Sequence, residues 1–221
     1  MSEVGQIERA TQNSVVKLFR EQLGYTYLGN WEDRHGNSNI EEAILYKYLK
    51  ERKGYNDTLI NKALYELGKT ANNLNDGLYS ANQKVYELLR YGVKVKAEAG
   101  DNFETVELID WKQPLKNEFA IAEEVTISGI HDKRPDIVLY VNGIALGVIE
   151  LKRSTISIGE GIRQNIVNQQ KEFIQSFFTT IQWVFAGNDT QGLRYGTAGT
   201  AEKYYLKWKE KHKSSLILGL G

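Results

Sequence analysis

Apolar residues recur at Ile7, Ala10, Val15, Leu18, Phe19 and Leu23, a spacing of threes and fours that lines one side of a helix over 6–23, with Gly24 as its stop. Three more amphipathic stretches follow near 40–49, 59–67 and 78–89, separated by Gly54, Gly68 and Gly77. The first half of the chain therefore predicts helices. From Val93 the period shortens to two: 93–97 and 105–109 alternate as strands around a turn at Gly100-Asp101, and 120–127 predicts another strand. Two apolar runs, Ile137-Val138-Leu139-Tyr140 and Gly147-Val148-Ile149, then flank an Asn142-Gly143 turn. Beyond them, 159–178 carries Ile162, Ile166, Phe173, Ile174 and Phe177 on one stripe of a long helix, and 181–186 reads as a core strand. The pattern predicts an α/β fold, a mixed sheet flanked by helices with an additional helical region in the first half.

The Asn142-Gly143 hairpin carries charge at its strand ends. Asp136 opens one strand, and Glu150 and Lys152 end the other. Side chains two apart in a strand point the same way, so Glu150 and Lys152 share a face while Ile149 and Leu151 turn toward a core. A strict two-residue loop would pair Asp136 with Ile149 and put Glu150 on the face opposite Asp136. For one metal to meet both acids, the hairpin needs a three- or five-residue loop, or a bulge. A lone acid facing an acid-x-lysine pair on adjacent strands is the arrangement of a metal-dependent nuclease site.

These residues resemble the PD-(D/E)xK nuclease motif, with Pro135-Asp136 as its first half and Glu150-Leu151-Lys152 as its second. The context is more specific. The stretch KRPDIVLYVNGIALGVIELKRS resembles the nuclease domain of the restriction (R, HsdR-type) subunit of type I restriction-modification enzymes, and the likeness extends to LFREQLGYTYLGNW, ANQKVYELLRYGV, NEFAIAEEVTI, GIRQNIVNQQKEFIQSFF and AGNDTQGLRYGT. It implies a restriction-endonuclease-like core, whose order of helix, three strands, helix and strand the pattern matches. It also implies a magnesium-dependent endonuclease acting on double-stranded DNA, with manganese able to substitute. In that family the nuclease domain opens a longer subunit with an ATP-driven translocase, and methyltransferase and specificity subunits are its partners. ATP would enter only through that missing motor.

On this reading Asp136 and Glu150 are metal ligands and the backbone carbonyl of Leu151 a third, with waters and a phosphate oxygen completing the near-octahedral shell of magnesium. Lys152 orients or helps deprotonate the attacking water. On the downstream helix Gln164 fills the first place of the family's Gln-x-x-x-Tyr pair, and Asn168 stands where the tyrosine would be. Glu8, at the border of the first helix's buried stripe, is the accessory metal candidate; a surface or capping glutamate is its alternative.

Composition bounds the rest. At 221 residues and 41% hydrophobic content, the chain suffices for one domain over 1–221: a mostly helical part (1–92), the motif-bearing core (93–198), and the start of a connection to the missing motor (199–221). The end, charged and then abruptly apolar, reads as if cut within an element that packs on a following domain. Zero cysteines exclude thiolate zinc, and three scattered histidines leave oxygen ligands for a hard cation. No run is apolar enough to span a bilayer, and a cytoplasmic location is expected. Basic and acidic residues balance at 28 each, so DNA binding must be local or borrowed. The local candidates are Lys133, Arg134, Lys152, Arg153, Arg163 and, among polar residues, Asn168. One decoy, Ala63 to Thr70, fits a relaxed phosphate-loop pattern but continues a helical stripe and is rejected. The alternatives to a type I nuclease domain are a stand-alone repair or junction-resolving nuclease, and a non-catalytic docking module of the same fold.

Overall fold

The structure, a computed structural model, describes residues 3–209, with side chains from Arg9 onward. The first helix, α1 (Glu3–Lys17), widens into a π-helical turn at Leu18–Gln22, and Gly24 at φ 71° reverses the chain into β1 (Thr26–Asn30). Three helices follow: α2 (Glu42–Glu51), α3 (Asp57–Ala71) and α4 (Gly77–Tyr91). Two short strands, β2 (Val93–Val95) and β3 (Glu104–Val106), pair antiparallel as a separate ribbon. The Leu45, Leu49, Ile60, Leu67 and Leu89 side chains of these helices bury against Val93, Val106 and Leu108. This helical lobe is what the 3.6-residue periodicity describes.

The main sheet has seven strands in the order β1, β4 (Phe119–Glu123), β5 (Ile137–Val141), β6 (Ile144–Leu151), β7 (Trp183–Asn188), β8 (Gly192–Gly196) and β9 (Leu206–Lys207). β1 runs parallel to β4, and β6 parallel to β7; the other neighbours are antiparallel. Val15 and Val16 of α1 cover one face over Ile121, Ile137, Ile149 and Leu151. The helix α5 (Ile158–Asn168), capped by the Ser157 hydroxyl, covers the other through Ile158 and Ile162 over Val148, Val184 and Ala186. The predicted mixed α/β sheet flanked by helices, in a restriction-endonuclease-like arrangement, is thus present.

The hairpin tip joins lobe and sheet. Asn142 and Gly143 both have positive φ, 53° and 86°, as a tight two-residue turn requires. The Gly143 carbonyl accepts the Glu41 N–H (2.8 Å), and a Cβ there would stand 2.8 Å from the Leu45 nitrogen, so only glycine fits beneath α2. Fully buried Asn142 donates to the Leu108 carbonyl and Asn117 and accepts from the Glu118 N–H.

Several expectations need correction. The long helix over 159–178 stops at Asn168: its carbonyl accepts the Ile174 N–H in a wide turn, and Gln175–Thr179 forms a short 3-10 helix. Redirection lets Ile174, Phe177 and Phe178 enter the core, so tertiary burial overrides local spacing. Gly68 does not end α3, which continues to Ala71 and is closed at Asn72; the phosphate-loop look-alike lies inside this helix. β1, β8 and β9 were not expected. The apolar end beyond Lys209, read as packing on a following domain, lies outside the described residues.

Candidate active site

The hairpin register decides the geometry. Val141 pairs with Ile144 and Tyr140 with Ala145 across the two-residue turn, but Leu139 pairs with Gly147, leaving Leu146 as the extra residue of a bulge. Ile137 therefore pairs with Ile149, the last pair of this ladder, and continuing the register by one step brings Asp136, just before β5, level with Glu150, with which it lines one cleft. The bulge shifts the register by one residue from that of an uninterrupted two-residue hairpin. Directly opposed residues share a face, here the α5 face.

Asp136, half-buried, accepts the Leu151 N–H on Oδ2 at 2.6 Å, clamping the end of β5 to the end of β6. Glu150 is 1% exposed and its Oε1 accepts from the Lys152 ammonium at 2.8 Å. Ile149 and Leu151 turn into the α1-side core as the alternation demands. Above Glu150 lies Gly161 of α5, where a Cβ would touch Ala186 at 3.3 Å, the Lys152 stem at 3.5 Å and the Glu150 stem at 3.6 Å. The helix can sit this close to the two catalytic candidates because that position is bare.

An open cleft of about 350 Å³ is lined by Arg9, Gln12, Glu124, Arg134, Asp136, Glu150, Lys152 and Gln164. It thus gathers Asp136, Glu150, Lys152, Gln164 and Arg134 from the sequence-derived candidates. It does not gather the others. Asn168 is 1% exposed at the inward-turned end of α5, so it presents nothing to a ligand in the cleft. Arg163 points away, its guanidinium held by Glu160 and Glu202 at 2.7 Å each, and these carboxylates raise its pKa, Glu160 foremost. Lys133 lies over the Phe173 ring at 4.2 Å, and half-buried Arg153 follows β6 outside the lining. The Glu8 side chain lies outside the described ones.

Five further residues belong to this end of the sheet. Buried Glu123, at the end of β4, accepts from Arg9 at 2.9 Å, Gln12 at 3.3 Å and the Tyr27 hydroxyl at 2.7 Å. Gln12 also donates to the Asp136 carbonyl at 3.3 Å, so one side chain ties α1 to both β4 and β5. Burial first, and the Glu123 hydrogen bond second, push the Tyr27 phenol up to about 12. Glu124 holds φ 51°, a left-handed backbone that a glutamate rarely adopts. Gln12 sits a turn along from Glu8 on the first helix, a polar break in an apolar stripe, and that was the signal available for it.

Among the described residues no group of three or more His, Cys, Asp or Glu side chains is placed to hold a metal. The donor set on hand is two carboxylates on one face. That fits magnesium, which binds through one or two carboxylates and keeps waters and phosphate oxygens for the remaining positions. The order of elements, the bulge and the facing acids agree with one further observation: the family model for the type I restriction enzyme R protein N terminus matches residues 5–203. The chain belongs to that family.

Relatives of the family agree. The chain is 28% identical over 152 residues, 64% of its length, to a protein of Methanocaldococcus jannaschii provisionally named type I restriction enzyme MjaIXP endonuclease subunit, and covers 14% of it. It is 28% identical over 212 residues, 89% of its length, to the type I restriction enzyme HindI endonuclease subunit of Haemophilus influenzae, covering 20% of that protein. The chain thus spans a fifth or less of these relatives. Among the described residues no helix is long and apolar enough to cross a membrane.

Proposed function

We propose that this chain is the endonuclease domain of a type I restriction enzyme R subunit, a PD-(D/E)xK nuclease that hydrolyses phosphodiester bonds of double-stranded DNA with magnesium. The observation that carries the reading is the Leu146 bulge, which turns a tight hairpin into one with Asp136 opposite Glu150 and Lys152 on the same face. Asp136 and Glu150, with the Leu151 carbonyl, would hold the cation. Bound there, such a cation would supply an activated water and charge stabilisation for the pentavalent phosphate. Lys152, anchored on Glu150, orients the water and offsets phosphate charge, and Gln164 positions from the α5 side. Asp136 keeps its second strand in register through the Leu151 N–H.

With balanced charge, the chain neutralises few phosphates by itself, so delivery of DNA falls to the translocating remainder of the subunit and to methyltransferase and specificity subunits, in a cytoplasmic complex driven by ATP. The names of the relatives, endonuclease subunits of type I enzymes, support that assignment. The test is nicking of supercoiled plasmid by the chain at high concentration with magnesium or manganese. Slow, sequence-independent nicking is expected, lost in Asp136→Ala and in Lys152→Ala. Nicking by Asp136→Ala at the wild-type rate would overturn the reading, and no nicking by any form, without metal binding, would favour a docking module.

A further inference from the structure

The cleft contains two arginines that the hydrolytic chemistry does not use, and both face carboxylates. Arg134 places Nε 2.8 Å from Glu124 Oε2 and also pairs with Glu32. Arg9 places NH1 3.5 Å from the other Glu124 oxygen and NH2 2.9 Å from Glu123. Glu124 thus stands between two guanidinium groups, one from α1 and one from the loop before β5, with each oxygen toward one of them. A carboxylate bridging two arginines has the charge and bidentate oxygens of a phosphodiester.

Three details make this more than a surface ion pair. The Glu124 side chain is only 14% exposed, while the arginines are 40% and 44% exposed and reach the solvent side of the cleft. Glu124 is fixed by its N–H to the Asp136 carbonyl at 2.9 Å, so it is tied to the strand that carries the first metal-site acid. Its backbone sits at φ 51°, where asparagine or glycine would be easier; the side chain is what this position gains from glutamate. Of the charges that line the cleft, Glu124 is the one set against both Arg9 and Arg134, so it offsets their attraction for an entering phosphate while it stays in place.

We propose that Arg9 and Arg134 form a phosphate subsite beside the metal-site acids, and that Glu124 closes it as an internal phosphate surrogate that a DNA phosphate displaces. The inference rests on the reading of the cleft as a DNA site and names a contact within it. Binding then costs the Glu124 contacts, and this makes the domain a weak binder until DNA is delivered at high local concentration.

The experiment is fluorescence anisotropy of a labelled duplex with the full 221-residue chain, calcium replacing magnesium, between 50 and 200 mM salt. Glu124→Gln is expected to bind on the order of tenfold tighter at low salt and to steepen the salt dependence. Glu124→Asn, whose side chain suits the left-handed backbone, should do the same and guards against a folding artefact. Arg9→Gln with Arg134→Gln should weaken binding and lower the slope of log K against log salt by about 1, for the one phosphate that is no longer neutralised. In that double-arginine background Glu124→Gln should bring no gain. Unchanged affinity in both Glu124 variants, a gain that persists without the arginines, or no measurable binding by any variant would overturn the proposal. Because nothing is cut, loss of the nuclease reading in the plasmid assay leaves this linkage free to stand or fall alone.

Discussion

The helical lobe and the site end of the sheet are built by opposite rules. In the lobe, Leu45, Leu49, Ile60, Leu67 and Leu89 are buried at 0–2% exposure, and α2 to α4 keep their charges outward. At the site end, Glu123, Glu150 and Gln12 are at 5%, 1% and 4% exposure, Glu124 has a left-handed backbone, and a bulge interrupts the ladder. Burying carboxylates opposes stability unless they are paired and hydrogen-bonded. Departures from local rules gather at the proposed site, and Asn142 at the hairpin tip, buried at φ 53° beneath α2, is their counterpart where sheet meets lobe.

That contrast can be broken by two substitutions measured side by side in urea unfolding. Leu67→Ala, at a fully buried lobe position, is expected to cost about 3 kcal/mol of stability through the cavity it leaves. Asp136→Asn is expected to stay within about 1 kcal/mol of wild type, since an amide oxygen can still accept the Leu151 N–H. Equal losses in the two would erase the distinction between a lobe that serves stability and a site that serves chemistry.

Tyr27 sharpens the comparison through pH. Burial first, and the Glu123 hydrogen bond second, push its phenol in the folded chain up to about 12 from an ordinary 10.0. A raised folded value means stability fully present below pH 10 and lost as pH climbs from 10 toward 12. Tyr27→Phe should therefore be flatter than wild type over that window when unfolding is followed at pH 9, 10 and 11; parallel pH profiles would show that Tyr27 is not held as described.

A smaller effect is expected at Gly161. An alanine there gains helix propensity but meets Ala186 at 3.3 Å and the stems of Lys152 and Glu150, so stability should change by no more than about 1 kcal/mol. Nicking should nevertheless slow by roughly threefold to tenfold, because small displacements of reacting groups are felt in rate. Unchanged nicking would mean that α5 does not set the position of Glu150 and Lys152.

The lobe was the more legible region for the same physical reason. The stripes over α2, α3 and α4 are long and uninterrupted, so periodicity alone finds them within a few residues. β1 escaped because Gly29, at φ 119°, interrupts five residues at a sheet edge, and β8 because glycine begins and ends it. The helix over 159–178 was overextended because Phe173, Ile174 and Phe177 keep a helical spacing while burial takes the chain elsewhere. At the candidate site, Asp136, Glu150 and Lys152 stood out through the motif they resemble and the strand period around a turn, and requiring both acids to meet left a longer loop or a bulge open, of which the structure has the bulge. Arg9, Glu123 and Glu124 were not, since an acid or an arginine near a strand end looks like solvated surface until the tertiary partners are known.

The central claim is that Asp136 and Glu150 together hold one divalent cation while Lys152 serves the water. Calorimetric titration of manganese into the chain and its variants tests it most directly. Wild type and Lys152→Ala should each bind one ion, and Asp136→Ala and Glu150→Ala should lose that binding. Binding retained in Asp136→Ala, or lost in Lys152→Ala alone, would contradict the account.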